Sequence, residues 1–233
     1  MKEHPIIFSG PMVRAILAGQ KTQTRRVIKP QPSQIFYDRL HTRCPVAYKV
    51  EGIKGKEWLK HPYQPGDRLW VRETWNQISL GNKKFGYDIQ YWYKADDTDE
   101  NFDNKWRPSI HMPRKACRLI LEITAVRVER LQDISEEDAR AEGVERWGDN
   151  WPKDHWNYEE AIKSKDYNNY LWHGGTNSRL VDLWPYQYSN YHTAKDSFSS
   201  LWQLINGKRP GCSWMDNPWV WVIELNRVEG RLS

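Results

Sequence analysis

The sequence contains no apolar run approaching the ~20 residues of a membrane-spanning helix, and its opening residues lack the apolar core of a secretory leader. Cysteine is scarce. Cys44, Cys117 and Cys212 are an odd number with no C-x-x-C pair, which argues against a disulfide framework and against a zinc knuckle. The expectation is therefore a chain of the reducing cytoplasm, with no membrane partner. The seven histidines are scattered without ligand spacing, so neither a metal nor another cofactor is expected. Internal repeats and low-complexity tracts are missing too. Gly174-Gly175 is not followed by Lys-Ser or Lys-Thr and reads as a turn, not a phosphate loop.

What the chain has in excess is aromatic surface. Fourteen Trp and twelve Tyr in 233 residues are too many for a disordered chain. The length suits one generous domain or two small ones and buries roughly 70% of the unfolded surface. The net charge of +5 is unevenly spread. Residues 1–72 hold 14 Lys and Arg against 5 Asp and Glu, a balance of +9, and the remainder carries −4. A basic first third suits an anionic partner such as nucleic acid, nucleotide or phosphate, and equally a solvated basic face.

Residues 9–19 read as a short helix, with Ser9 or Gly10 as cap, Pro11 in the first turn and Gly19 as a left-handed exit. Thr22 to Ile28 alternates and is β-branched, a strand ended by Pro30 and Pro32. Further strands are predicted at Arg68–Arg72, after the Pro65-Gly66-Asp67 turn, at Cys117–Val128, and at Trp219–Leu225. The last is near-continuously apolar and so central. Ser135 caps a short helix that ends near Gly143. Thr193 caps another through Gly207, with Phe198, Leu201, Trp202 and Ile205 on one stripe. Residues 33–65 have little periodicity and read as a long loop or an insertion, 78–105 mix a possible hairpin around Gly86 with an acidic patch, and 145–192 are weakly periodic. The third carries five Trp and six Tyr, suited to packing as a cap or to stacking nucleobases. Strands parted by long irregular stretches predict an α+β fold: a small β-barrel decorated by short helices in a single domain.

The densest polar cluster is Gly19-Gln20-Lys21-Thr22-Gln23-Thr24-Arg25-Arg26. Lys21 lies among like charges, which together with desolvation favour a neutral amine able to act as a base. Thr24 suits a nucleophile or an oxyanion donor. On a regular strand Lys21 and Thr24 face opposite ways, so they share a pocket only if the chain bends between them. The alternative is a solvated basic strand entrance.

This cluster resembles the signature of ASCH domains, small β-barrels of the PUA-like superfamily, whose usual pattern is G-x-K-x-x-E-x-R. Gly19, Lys21 and Arg26 match, and Thr24 stands in place of the Glu. The K-T-x-T-x-R form is similar to that of small bacterial ASCH proteins that hydrolyse N4-acetylated cytidine. Longer members of the family are encoded by phages and prophages. The resemblance implies Lys21 as base, Thr24 as nucleophile and a later Glu as proton donor. That Glu lies in a short motif matched by Ile134-Ser135-Glu136-Glu137-Asp138-Ala139-Arg140-Ala141-Glu142, which points to Glu142. Its place in the last helical turn, where the dipole disfavours negative charge, suits a donor. Thr22, Arg25, Arg26 and Glu73 are the candidate substrate-binding residues. Arg26 is the orienting or oxyanion-stabilising cation, and Glu73 either pairs with an arginine or faces the pocket. The implied substrate is an N4-acylated cytosine nucleoside or base. An RNA-binding module without catalysis and a ribonuclease are the alternatives.

Overall fold

The computed structural model describes residues 1–37, 45–49, 58–60, 62–82, 86–97, 105–146, 167–168 and 193–228. Its centre is a five-stranded mixed sheet built from β1 (Glu3–Ile7), β2 (Gln23–Val27), β6 (Arg68–Arg72), β9 (Ile120–Arg130) and β12 (Trp219–Arg227), in the order β1-β6-β9-β12-β2. Only β1 and β6 run parallel. A second sheet, β3 (Gln34–Tyr37), β4 (Pro45–Lys49) and β5 (Trp58–Lys60), lies within the first predicted insertion. β7 (Trp75–Asn82) and β8 (Gly86–Tyr93) form the predicted hairpin. β10 (Glu145–Arg146) and β11 (Tyr167–Asn168) pair with each other. The rest of the aromatic-rich stretch lies outside the described residues, and so does the choice between a packed cap and a stacking surface.

Helix α1 (Gly10–Leu17) packs on one face of the main sheet, and α2 (Glu136–Ala141) and α3 (Ala194–Asn206) pack on the other. β12 shows why its sequence is almost wholly apolar. Trp221, Ile223 and Leu225 enter the core beneath α1, while Val220 and Val222 enter the core beneath α2 and α3. A strand buried on both faces has no polar side to alternate with. Each of these fully buried side chains contributes roughly 1.5–3 kcal/mol. The helix caps follow the sequence: Ser135 accepts from the Asp138 amide and Thr193 from the Asp196 amide. Of the predicted α3 stripe, Ile205 is exposed near the helix end and Asn206 is buried in its place.

The fold is α+β, as expected, but no closed barrel is present among the described residues. β1 and β2 remain the edges of an open sheet. They are linked by a side chain instead of a ladder: the Arg26 guanidinium donates to the Ile7 carbonyl at 2.9 Å. No helix among the described residues is long and apolar enough to cross a membrane.

Candidate active site

Three chain segments meet at Lys21. Its amide donates to the Ala15 carbonyl at the end of α1, and Thr22 donates to Ala141 at the end of α2. Lys21 and Glu142 form an isolated antiparallel bridge just before β2 begins. Gly143, with φ of +92°, lets the chain turn away at once. A Cβ there would lie 3.1 Å from Lys21 Cβ and 3.2 Å from Ala15 Cβ. The close approach of α2 to Lys21 thus depends on a residue without a side chain.

Lys21 is 3% exposed. Its Nζ donates to Glu142 Oε2 at 2.7 Å, to the Glu142 carbonyl at 2.8 Å and to the Gln23 carbonyl at 2.9 Å. Burial pushes the ammonium down from its ordinary pKa, opposed by Glu142 and assisted by the Arg26 and Arg25 charges. Glu142 Oε1 accepts from Arg25 Nη1 at 3.2 Å, so the carboxylate sits between two cations.

The register of β2 against β12 sorts the remaining candidates. Thr24 lies opposite Ile223 and Arg26 opposite Trp221, so both face the α1 side. Arg25 lies opposite Val222 and faces α2 and α3. The Phe8 ring joins the α1-side group: Lys21 Nζ lies 5.8 Å and the Arg26 guanidinium 5.2 Å from its centroid. Lys21 Nζ bonds the Gln23 carbonyl, which belongs to the peptide group joining Gln23 to Thr24. Thr24 is itself buried.

The three other expected substrate-binding residues differ in their surroundings. The side chain of Arg25 is fully buried; besides Glu142 it bonds Asp138 at 2.8 Å and Glu129 at 3.2 Å, and it stacks on Phe198. Its two Nη nitrogens are taken up by these carboxylates, while Nε is buried without a partner. Glu73 is 1% exposed and held by both arms of Arg118, each at 2.9 Å, with Arg118 lying 3.9 Å from the Tyr93 ring. Burial raises the Glu73 pKa against the pull of Arg118. No bond links Glu73 to Lys21, Thr24 or Glu142 among the described residues. Thr22 is exposed and lines a shallow cleft of about 180 Å³ with Gln23, Asp138 and Glu224.

Sequence reasoning missed the carboxylates that surround Arg25. Asp138 accepts from Gln23 Nε2, from Arg25 and from Arg127; Glu129 and Glu224 accept from Arg127. A signal was present in the alternation of Arg127 and Glu129 on a strand, with Asp138 one helical turn before Glu142. Only the strand order shows that these residues meet. Among the described residues no three His, Cys, Asp or Glu are grouped as metal ligands. No family model, curated protein or solved structure matches the chain.

Proposed function

We propose that the chain is a PUA-like ASCH protein and a metal-free amidohydrolase, acting on the exocyclic amide of N4-acylated cytosine nucleosides or bases. The observation that carries this reading is the buried Lys21–Glu142 contact, made between residues 121 positions apart. One proton shift along that 2.7 Å bond turns an ammonium–carboxylate pair into an amine and a carboxylic acid. Those are the base and the acid that amide hydrolysis requires, and burial favours the neutral amine of Lys21.

In this reading the Lys21 amine takes the proton of the Thr24 hydroxyl as its oxygen attacks the acyl carbonyl. Arg26, on Thr24's face of β2, stabilises the resulting oxyanion. Collapse breaks the C–N bond, and the Glu142 acid protonates the departing cytosine nitrogen. Water then releases the acyl group from Thr24, with the pair restored. Glu73 plays no part, since Arg118 holds it.

The test is release of cytidine from N4-acetylcytidine by the purified chain, followed by chromatography, with a labelled RNA oligonucleotide as control. Hydrolysis is expected in the wild type, unchanged by a chelator and abolished by Lys21→Ala. Lys21→Arg does not rescue it, because arginine stays protonated at neutral pH. Full activity of Lys21→Arg overturns the assignment of the base. RNA cleavage without nucleoside hydrolysis overturns the substrate.

A further inference from the structure

We infer that Arg25 is a positioning residue, fixing the Glu142 carboxylate against Lys21 by clamping both ends of α2 to β2. The catalytic consequence rests on the amidohydrolase reading; the geometric one does not.

The clamp is visible in its attachments. One nitrogen of the guanidinium, Nη1, reaches Glu142 at the C-terminal end of α2; the other, Nη2, reaches Asp138 in its first turn and Glu129 on β9. A helix of six residues has little stability of its own, so its attachments set where its end lies. Glu142 has two oxygens and two cationic donors, Lys21 on Oε2 and Arg25 on Oε1. The planar fork spans Glu142 and Asp138, with Nη1 on Oε1 of Glu142, and leaves Oε2 for Lys21, whereas a point charge imposes no such orientation. The Phe198 ring on α3 lies 5.9 Å from the guanidinium carbon and backs the fork. Arg127 serves as an internal comparison: it binds Glu129, Asp138 and Glu224 but does not bond Glu142.

The charged groups around Lys21 are Glu142 from the end of α2, with Arg25 and Arg26 from β2. Glu142 holds the Lys21 proton in place, so a misaligned Glu142 lets Lys21 titrate lower. Arg25→Lys keeps the charge and removes the fork, which isolates alignment from charge.

The experiment follows the Lys21 side-chain nitrogen by ¹⁵N NMR titration, alongside steady-state hydrolysis of N4-acetylcytidine and a thermal melt. In Arg25→Lys the Lys21 midpoint is expected to fall by about one unit. The same variant is expected to lose roughly ten- to a hundredfold in kcat, with KM within about twofold. Arg127→Gln is expected to lower the melting temperature and leave the Lys21 midpoint and kcat in place. A folded Arg25→Lys with unmoved midpoint and kcat overturns the proposal, as does an Arg127→Gln that moves them equally. If Arg25→Lys does not fold, Asp138→Asn decides: it cuts the other end of the clamp, and its Lys21 midpoint falls in the same direction by less. An unmoved midpoint there overturns the clamp. Absence of hydrolysis in the wild type overturns the amidohydrolase reading alone, and the Lys21 midpoint then decides the role of Arg25.

Discussion

Replacing Glu142 by Gln removes one charge from a pair whose side chains are 1% and 5% exposed, with almost no change of volume. Breaking a buried pair in this way costs about 3–5 kcal/mol, mostly for the cation left behind. Two features of the site pull the figure to the low end. Arg25 keeps Asp138 and Glu129 as partners. Lys21 has an escape, because burial already lowers its pKa and Glu142 is the strongest influence opposing that. Without Glu142 the amine releases its proton more readily, and a neutral amine is cheaper to bury. The pH dependence follows in sign. In the folded variant Lys21 titrates well below its unfolded value, so the unfolded chain binds more protons between the two. Stability therefore rises with pH up to about 10.5, and the deficit of the variant shrinks as pH rises. The expected loss is about 3 kcal/mol at pH 6, a fall of roughly 1 M in the urea midpoint for a slope near 3 kcal/mol/M. A smaller loss is expected at pH 9. Adding Lys21→Met removes the stranded cation and is expected to recover about 2 kcal/mol as coupling in the double-mutant cycle. A deficit under about 1 kcal/mol at pH 6, or one that does not change with pH, refutes the idea that this pair is desolvated.

Gly143→Ala combines a positive φ with a Cβ driven against Lys21 and Ala15, and is expected to cost roughly 2–3 kcal/mol and to depress hydrolysis. Gly19→Ala, with φ of +76° but open space around it, is expected to cost only about 1 kcal/mol by the same denaturant assay and to leave hydrolysis unchanged. Tyr93, half-buried and donating to the Ala116 carbonyl, has its phenol pushed up to about 12, chiefly by desolvation. Ultraviolet titration is expected to show one late tyrosine that Tyr93→Phe removes. The phenol ionises earlier in the unfolded chain, so this residue's stability contribution is lost as pH climbs from 10 to about 12.

The elements that read most clearly from sequence are those whose signals are local. Arg68–Arg72 alternates and follows a turn, and it is a strand with those bounds. The caps at Ser135 and Thr193 fix two helix starts to the residue. β1 was missed, because Glu3, His4 and Pro5 break its pattern; Pro5 is tolerated because the strand is an edge. The three strands of residues 34–60 are short, and their pairing is what defines them. At the site, the motif residues Lys21 and Glu142 were legible by type and order. The burial of Arg25 was not, since a strand entrance with three cations reads as solvated until the strand order supplies Glu129 and Asp138. Glu73 was ambiguous for the same reason: its partner, Arg118, lies 45 positions away.

The placement of β2 has a consequence for how the protein is made. Among the described residues β2 pairs in the ladder only with β12, so the strand that follows Lys21 and bears Arg25 has no strand neighbour there until residues 219–227 have been synthesised. β1 and β6 find each other far earlier, and β9 can join them while the chain is still growing. The cations of the strand entrance stay hydrated at least until Glu129, Asp138 and Glu142 have been made. Insertion of β12 between β9 and β2 is then a late step closing a contact of about 200 residues in sequence, which makes completion of the sheet slow relative to its start. A nascent chain stalled before residue 219 would carry a three-stranded sheet with β9 as an open edge, a template for pairing with another chain.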